Sequence, residues 1–132
     1  MIRFFDIIIS IVILIIFLPI LILISLLILV IDGKPIIYKQ PRIGHMGTQF
    51  IIFKFKTMKN VFYKNEILRL TSLGKILRKT SLDELPQLIN VLKKDMSIVG
   101  PRPLPIHIEK KIKRSDRIKR RKILPGITGM SQ

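Results

Sequence analysis

The stretch that decides the fold is Ile7 to Ile31, IIISIVILIIFLPILILISLLILVI, which runs for 25 positions without a charge. Only Ser10, Pro19 and Ser25 interrupt its aliphatic content. A straight helix of this length rises about 37 Å, and the hydrocarbon core of a bilayer is about 30 Å thick. A cleavable signal peptide is the weaker alternative, because its apolar region is about 7–15 residues long and ends in small residues. The sequence therefore predicts a membrane-bound protein.

Pro19 lies at the centre of this run, where it removes a helical hydrogen bond and clashes with the preceding turn. A kinked spanning helix is one interpretation, since transmembrane helices tolerate proline when neighbours satisfy the freed backbone. Arg3 precedes the run, and three further basic residues follow it closely, namely Lys34, Lys39 and Arg42. The positive-inside tendency then holds both ends on the cytoplasmic side. We therefore favour a re-entrant hairpin of residues 1–32, broken at Pro19, that enters and leaves by the same face.

The charge of the chain indicates an anionic partner. It holds 24 Lys and Arg against 8 Asp and Glu, and positions 33–132 alone hold 23 basic and 6 acidic residues. Such a field attracts anionic lipid head groups, nucleotides or nucleic acid, and a membrane segment puts the lipid surface first. There is no cysteine, which excludes disulfides and thiolate metal sites. His45 and His107 lie far apart without ligand spacing, so we interpret them as ordinary polar residues.

Two adjacent carboxylates, Asp83 and Glu84, stand in the stretch Thr80-Ser81-Leu82-Asp83-Glu84-Leu85-Pro86-Gln87-Leu88. Carboxylates can bind a divalent cation, attack an electrophile or pass a proton, and these are the tasks of phosphate chemistry. A structural interpretation is equally open. Ser81 and Glu84 fit the S-x-x-E capping box of a helix start, where the helix dipole also favours Asp83.

Residues 33–132 predict one small cytoplasmic domain of amphipathic helices and a β-hairpin, so the fold class is α+β. The hairpin strands are expected at 36–40 and 49–57, with Pro41, Gly44 and Gly47 in or near the link. One amphipathic helix is expected over 68–79. A second runs from about 82 to 94 and begins within 81–83, because Pro86 fits only near a first turn.

Several basic residues are placed where they could meet phosphate. Lys54 and Lys56 share one face of the second strand, although a merely solvated face is the simpler interpretation. The loop 95–103 contains one Gly and two Pro and presents Arg102, whose planar guanidinium can fork onto a phosphate. Residues 109–122 contain nine Lys or Arg, and we interpret this run as a solvated or lipid-facing basic helix without a catalytic role.

Taken in order, these segments resemble the bacterial sugar transferases, the monotopic phosphoglycosyl transferases that start glycan assembly on a polyprenol phosphate carrier. The resemblance covers nearly the whole chain and rests on the proline-broken apolar N-terminus together with Pro41-Arg42-Ile43-Gly44, Phe53-Lys54-Phe55-Lys56-Thr57-Met58, Ser81 to Gln87, Asn90-Val91-Leu92-Lys93, Asp95 to Pro103 and Pro125-Gly126-Ile127-Thr128-Gly129. No single segment would be specific, but their common order is.

The resemblance implies a ping-pong transfer at the bacterial inner membrane. Asp83 would attack the sugar-linked phosphate of a UDP-sugar and release UMP, and the phosphosugar would pass from Asp83 to undecaprenyl phosphate. Glu84 would complete the dyad, positioning metal or handling the acceptor proton. Mg²⁺, with Asp83 as a ligand, would neutralise the diphosphate. The cations available to bind substrate are Arg42, Lys54, Lys56, Arg78 and Arg102.

Two departures from the family pattern leave alternatives open. Leu18 precedes Pro19 where the family usually has a small polar residue. Family members also continue beyond the Gly-Ile-Thr-Gly segment, so residues 33–132 are expected to form a domain that is incomplete at its C-terminus. An inactive, truncated membrane-anchored fragment or an assembly partner is therefore the rival hypothesis. A nucleic-acid binder would explain the charge but not the dyad, and no recognition motif is present, so we expect no nucleic-acid partner.

Overall fold

The computed structural model describes residues 2–59 and 65–129. It begins with helix α1, Ile2–Ile31, which has Pro19 inside it. Among the helices in these ranges, α1 alone is long and apolar enough to cross a membrane by length and composition. A long apolar N-terminal helix is therefore confirmed, whereas the predicted break at Pro19 does not interrupt it, since the helix is continuous from Ile2 to Ile31.

Both ends of α1 are held by the rest of the chain. Near its start Asp6 and Ser10 are buried, and near its end Ile24 and Ile28 are buried. By contrast, every side chain of residues 11–20 is exposed or half-buried. The central part of α1 thus presents bare aliphatic surface, whereas its two ends belong to the packed structure.

A β-hairpin follows α1, as the sequence predicts. Strand β1, Ile37–Ile43, pairs in antiparallel fashion with β2, Gln49–Phe55. β1 runs three residues beyond the predicted end at residue 40, through Pro41, which an edge strand tolerates because its missing N–H faces outward. A short 3₁₀ turn, His45–Gly47, links the strands.

The predicted helix over 68–79 is wrong in its bounds. Two helices occupy this region, α2, Glu66–Arg69, and α3, Ser72–Lys79. They are separated because Leu70 forms a β-bridge with Met58 and the Thr71 side chain accepts a hydrogen bond from the Gly74 N–H, capping α3. Local propensity did not reveal this tertiary pairing.

The second predicted helix also begins later than expected. Leu82–Glu84 forms a single 3₁₀ turn, and helix α4, Gln87–Leu92, starts only after Pro86. The predicted capping box is wrong, because Ser81 adopts a left-handed conformation, φ 56°, and its side chain makes no capping hydrogen bond. Asp83 and Glu84 therefore lie in a separate turn between α3 and α4.

The C-terminal third contains two short strands that the sequence did not indicate. β3, Ser97–Val99, pairs in parallel with β4, Gly126–Thr128. Between them the predicted basic helix over 109–122 is divided into α5, Ile106–Glu109, and α6, Arg114–Arg121. The β3–β4 pairing brings the loop around Arg102 back beside the Pro125–Gly129 segment.

Two apolar clusters form the core. The first joins Ile24 and Ile28 of α1 to Phe55 of β2 and Leu77 of α3. The second contains Ile52, Val91 and Met96. The predicted α+β class is confirmed. The turn that carries Asp83 and Glu84 lies between α3, which contributes to the first cluster, and α4, which contributes to the second.

Candidate active site

The turn that carries the two carboxylates lies against the hairpin. Asp83 is buried, with only 7% of its surface exposed. Glu84 is the next residue and turns toward β2. Lys54 acts on both carboxylates, whereas Arg78 acts on Asp83 and Arg102 acts on Glu84.

Glu84 is held by two cations. Its Oε1 accepts a hydrogen bond from Lys54 Nζ at 2.6 Å and from Arg102 Nη2 at 3.0 Å. Burial alone would raise the pKa of Glu84, but the hydrogen bond and charge of Lys54, together with Arg102, hold that pKa below its usual value. Glu84 is therefore an anion that organises the basic residues around it.

Asp83 has the opposite electrostatic character. Burial raises its pKa above the usual value, the nearby charge of Lys54 opposes the rise, and the charge of Glu84 adds to it. Arg78 lies close enough to lower the pKa as well. A carboxylate that is poorly solvated when charged is more basic, and hence more nucleophilic, than an exposed one.

Arg42, another of the predicted cations, also lies near the dyad. Arg42 donates to the Pro103 carbonyl at 3.1 Å and to Gln40 Oε1 at 2.6 Å. Burial lowers the pKa of Arg42 and the charge of Arg102 lowers it further, while Tyr38 and Glu84 oppose both. The two guanidiniums therefore share one neighbourhood.

Arg78 is anchored from the other side of the turn, where its Nε donates to Thr57 Oγ1 at 3.0 Å. Lys54, Arg42, Arg78 and Arg102 thus surround two carboxylates, which leaves an excess of positive charge. Such a surplus suits an anionic ligand.

Lys56 does not join this group. Its ammonium donates to the carbonyl oxygen of Asp32 at 2.9 Å and also contacts those of Gly33 and Lys34 at 3.5 Å. The prediction that Lys54 and Lys56 meet a phosphate together is contradicted here, because β2 ends at Phe55 and Lys56 is buried in the turn after α1. Lys56 instead ties that turn to the hairpin.

Two polar residues that support the site, Asn90 and Arg120, were not singled out from the sequence. Asn90 is fully buried and bridges α4 to β2, donating to the Ile51 carbonyl and accepting from the Phe53 N–H. Arg120 donates to the Arg102 carbonyl at 2.7 Å. The sequence indicated a structural role for Asn90, because it is a single Asn on an otherwise apolar helix face. It gave no such indication for Arg120, which lies within a run of basic residues.

Asp6 and Arg3 fix the start of α1 in a similar way. Asp6 accepts hydrogen bonds from Ser97 Oγ at 2.7 Å and from the Ile98 N–H at 3.3 Å. Arg3 donates to the carbonyl oxygens of Val91 and Met96. An acidic residue just before an apolar run was the available signal, because a buried carboxylate needs partners.

The donor set around the dyad limits what it could hold. Within the described ranges no group of three or more His, Cys, Asp or Glu residues is gathered for a metal ion. The dyad offers two carboxylates, and Arg42, Lys54, Glu84, Gln87 and Arg102 help to line an open cleft beside it. One or two carboxylates plus substrate phosphates are what Mg²⁺ usually takes. The arrangement is therefore suited to phosphate chemistry.

Comparison with known proteins gives consistent matches. The family model for bacterial sugar transferases matches residues 1–132. The uncharacterized sugar transferase EpsL of Bacillus subtilis (strain 168) is 44% identical over 111 residues, which cover 76% of this chain and 52% of EpsL. The UDP-glucose:undecaprenyl-phosphate glucose-1-phosphate transferase of Escherichia coli (strain K12) is 38% identical over 137 residues, covering 96% of this chain and 29% of that protein.

A third relative is the exopolysaccharide production protein ExoY of Rhizobium meliloti (strain 1021), 35% identical over 154 residues that cover 98% of this chain and 67% of ExoY. The chain spans about half the length of EpsL and under a third of the Escherichia coli transferase.

Proposed function

Because the chain belongs to the bacterial sugar transferase family, we propose that it transfers a phosphosugar from a UDP-sugar to undecaprenyl phosphate and so initiates glycan assembly. The observation that carries the proposal is a buried Asp83 of raised pKa beside a Glu84 that is fixed by Lys54 and Arg102. The names of two relatives, in Escherichia coli and in Salmonella typhimurium, include undecaprenyl phosphate as the acceptor.

In the first half-reaction Asp83 is the nucleophile. One of its carboxylate oxygens attacks the phosphorus that carries the sugar, and the bond from that phosphorus to the bridging oxygen breaks. UMP leaves with the bonding electrons, and a sugar phosphate remains joined to Asp83 as an acyl phosphate. The raised pKa of Asp83 supports this role, because its charged form gains from sharing its electrons with phosphorus.

In the second half-reaction an oxygen of undecaprenyl phosphate attacks the same phosphorus. The Asp83 carboxylate leaves, and the product is a polyprenyl diphosphate sugar. Glu84 supports this step mainly by holding Lys54 and Arg102 in place. Its pKa is lowered and its Oε1 already accepts two hydrogen bonds, so it is a weak proton acceptor. Handling the acceptor proton, one of the two roles expected for Glu84, is thus disfavoured, and holding the two basic side chains is added to the expected role of positioning metal.

The basic residues stabilise charge that develops on the phosphates. Lys54 and Arg102 bind Glu84 and line the cleft, whereas Arg78 lies close enough to Asp83 to lower its pKa. Positively charged donors fixed in advance need little rearrangement when the leaving phosphate gains charge. Mg²⁺ fits the same site, where Asp83 and the second oxygen of Glu84 would hold it, and it would neutralise the donor diphosphate.

We further propose that α1 is inserted in the cytoplasmic leaflet as a re-entrant hairpin bent at Pro19, with the catalytic domain on the cytoplasmic face. A straight helix separates Arg3 from Ile28 by about 37 Å. Both residues contact the same small domain, Arg3 through hydrogen bonds to Val91 and Met96 and Ile28 through the first apolar cluster. A bend brings the two anchored ends together and leaves the exposed residues 11–20 to enter the lipid.

Transfer of radiolabel tests the function directly. The full chain in membranes is incubated with Mg²⁺, undecaprenyl phosphate and a panel of UDP-sugars labelled in the sugar. We expect label to enter the lipid fraction for at least one donor and to be lost in Asp83→Asn. A folded chain that transfers no label from any donor would support the rival hypothesis of an inactive membrane-anchored fragment or assembly partner.

A further inference from the structure

Thr57, two residues after the end of β2, is joined to the last turn of α3 through its side chain. Its hydroxyl oxygen accepts a hydrogen bond from Arg78 Nε at 3.0 Å. Thr57 is buried, whereas the Arg78 side chain is exposed. Among the residues that the structure describes, this is the one hydrogen bond that the Arg78 side chain makes. The orientation of the Arg78 guanidinium therefore depends on the Thr57 hydroxyl.

We infer that Thr57 is a positioning residue, whose hydroxyl holds the Arg78 guanidinium beside Asp83 so that it can bind a phosphate oxygen of the donor. Thr57 acts through Arg78 and not on the substrate. The inference rests on the proposed function and adds to it a residue that sets the geometry of one phosphate-binding cation.

The backbone of Thr57 is fixed against α3 independently of its hydroxyl. Its carbonyl oxygen accepts a hydrogen bond from the Thr71 N–H at 3.1 Å. Gly74 packs so closely on the same carbonyl that a Cβ at position 74 would lie 2.1 Å from the oxygen. Arg78 follows Gly74 by one turn, so both lie on the same face of α3. Removal of the hydroxyl alone should therefore leave the packing of α3 on Thr57 in place.

The backbone of Arg78 is tied to the turn that carries the dyad. Its carbonyl oxygen accepts a hydrogen bond from the Ser81 N–H at 3.3 Å. Arg78 lies close enough to Asp83 for its positive charge to act on that carboxylate. Thr57 occupies the Nε donor, and the N–H donors of Nη1 and Nη2 remain for a ligand. Such donors bind phosphate oxygens in pairs.

The Thr57 hydroxyl should matter most in the transition state. A long, exposed arginine side chain has many rotamers, and the hydrogen bond from Nε restricts them before the substrate arrives. A donor that is fixed in advance needs little rearrangement when the leaving phosphate gains charge. Loss of an interaction made mainly in the transition state lowers kcat and leaves KM nearly unchanged.

Steady-state transfer of radiolabel by the full chain in nanodiscs tests the inference. Thr57→Val keeps the β-branched shape and removes the hydroxyl, and Thr57→Ser keeps a hydroxyl. We expect Thr57→Val to lower kcat about tenfold with little change in KM, and Thr57→Ser to retain nearly the wild-type kcat. In an Arg78→Met background Thr57→Val should cause no further loss, because the hydroxyl acts through Arg78.

Thr71→Val is the matched control, because Thr71 is also a buried threonine next to α3. Its hydroxyl caps that helix by accepting from the Gly74 N–H at 2.9 Å. Loss of the cap should lower the denaturation midpoint while kcat stays near the wild-type value. Thr57→Val should lower the midpoint less, because the Nε of the exposed Arg78 can bind water instead.

The inference would be overturned by an unchanged kcat in Thr57→Val, by an equal loss of kcat in Thr71→Val, or by a further loss in the Arg78→Met background. It would also be overturned if Thr57→Ser lost as much activity as Thr57→Val, or if Thr57→Val failed to fold. With an active wild type, each of these results leaves the proposed function standing. A folded wild type that transfers no label from any donor would overturn the proposed function and the inference together.

Discussion

Asp83 and Glu84 are neighbours in sequence, yet their surroundings shift their pKa values in opposite directions. Asp83 is buried, and burial raises its pKa. Glu84 is also desolvated, but Lys54 and Arg102 more than offset this effect. Two carboxylates with divergent pKa values commonly divide two roles between them, and the proposed roles here are nucleophile for Asp83 and positioning anion for Glu84.

Replacing Lys54 with Met should change the pH dependence of Asp83. The reactive form of Asp83 is its carboxylate, so the rate of the first half-reaction rises with pH until the pKa of Asp83 is passed. Lys54 lowers that pKa, so its loss should shift the acid limb to higher pH. It should also lower the plateau rate by about 100-fold, the usual cost of losing one fixed donor. Single-turnover rates of UMP release measured across pH provide the test.

Lys39→Met is the control for this experiment, because Lys39 pairs across the hairpin with Phe53 and its side chain lies on the opposite face from Lys54. Its acid limb should match the wild type. An unshifted limb in Lys54→Met would mean that Lys54 does not act on the nucleophile.

Glu84→Gln should destabilise the protein in a pH-dependent way. Loss of the charged hydrogen bonds to Lys54 and Arg102 should cost about 2 kcal/mol of unfolding free energy at pH 7. The folded-state pKa of Glu84 is lowered, so its contribution is present above the usual value of 4.5 and disappears as pH falls through the folded value. Denaturant unfolding of the wild type and variant should therefore converge in acid.

Asp116→Asn on the exposed surface of α6 serves as the comparison and should be nearly neutral throughout. A stability difference between Glu84→Gln and the wild type that stays constant down to pH 2 would show that packing, and not ionisation of Glu84, accounts for the loss.

At the scale of elements, α1 has two parts. Its middle is an exposed apolar segment, and its two ends pack into the folded domain. Asp6 accepts hydrogen bonds from β3 and Arg3 donates to the Val91 carbonyl of α4, so both fix the start of α1, and Ile24 and Ile28 complete the first apolar cluster. Residues 33–132 are therefore not expected to form a separately stable domain after deletion of α1.

The chain has no cysteine, so single cysteines can report its topology. Ile2→Cys is preferred to a change at Arg3, because Ile2 is 78% exposed and Arg3 holds α1 to the domain. With Pro19 intact, Ile2→Cys and Lys39→Cys should both react with an impermeant maleimide from the cytoplasmic side only. Adding Pro19→Leu restores a helical hydrogen bond and should increase labelling of position 2 from the opposite side.

Labelling of position 2 from the opposite side while Pro19 is present would establish a spanning helix. Inverted and right-side-out membrane vesicles, assayed in parallel for Lys39→Cys, control for leakage of the reagent.

The elements that the sequence predicted correctly are those that local patterns specify. An apolar run of 25 positions and an alternating strand around Lys54 are visible without tertiary knowledge. The position of Lys56 could not be predicted in this way. Alternation places it on the same face as Lys54, but β2 ends at Phe55 and the Lys56 ammonium binds a carbonyl oxygen in the turn after α1. Likewise, Ser81 and Glu84 fit a capping box in sequence, but Ser81 adopts a left-handed conformation and its side chain makes no capping hydrogen bond.

At the scale of the whole molecule, the positive charge is divided between the site and the surface. Arg120 and Arg121 of the basic run are bound to Arg102 and Glu109, so they support the fold near the site. Five lysines of the same run are exposed, namely Lys110, Lys111, Lys113, Lys119 and Lys122. We propose that these five contact anionic lipid head groups.

Amine-reactive labelling in nanodiscs tests the lipid contact while α1 remains in place. Each lysine near an anionic surface gains about 1 kcal/mol, which corresponds to roughly fivefold slower labelling. We expect this difference between anionic and neutral lipids at low salt, and its disappearance at 1 M salt, where the Debye length is about 3 Å. Equal labelling in the two lipids would assign the lysines to a solvated face.

The covalent aspartyl intermediate is the central claim, and intact mass measures it most directly. The purified chain is mixed with Mg²⁺ and its UDP-sugar in the absence of undecaprenyl phosphate, then quenched in acid. We predict an added mass equal to one sugar phosphate, located on the peptide that contains Asp83, removed by undecaprenyl phosphate and absent from Asp83→Asn. Glycolipid formation by Asp83→Asn at the wild-type rate, or an adduct on any other residue, would contradict the account.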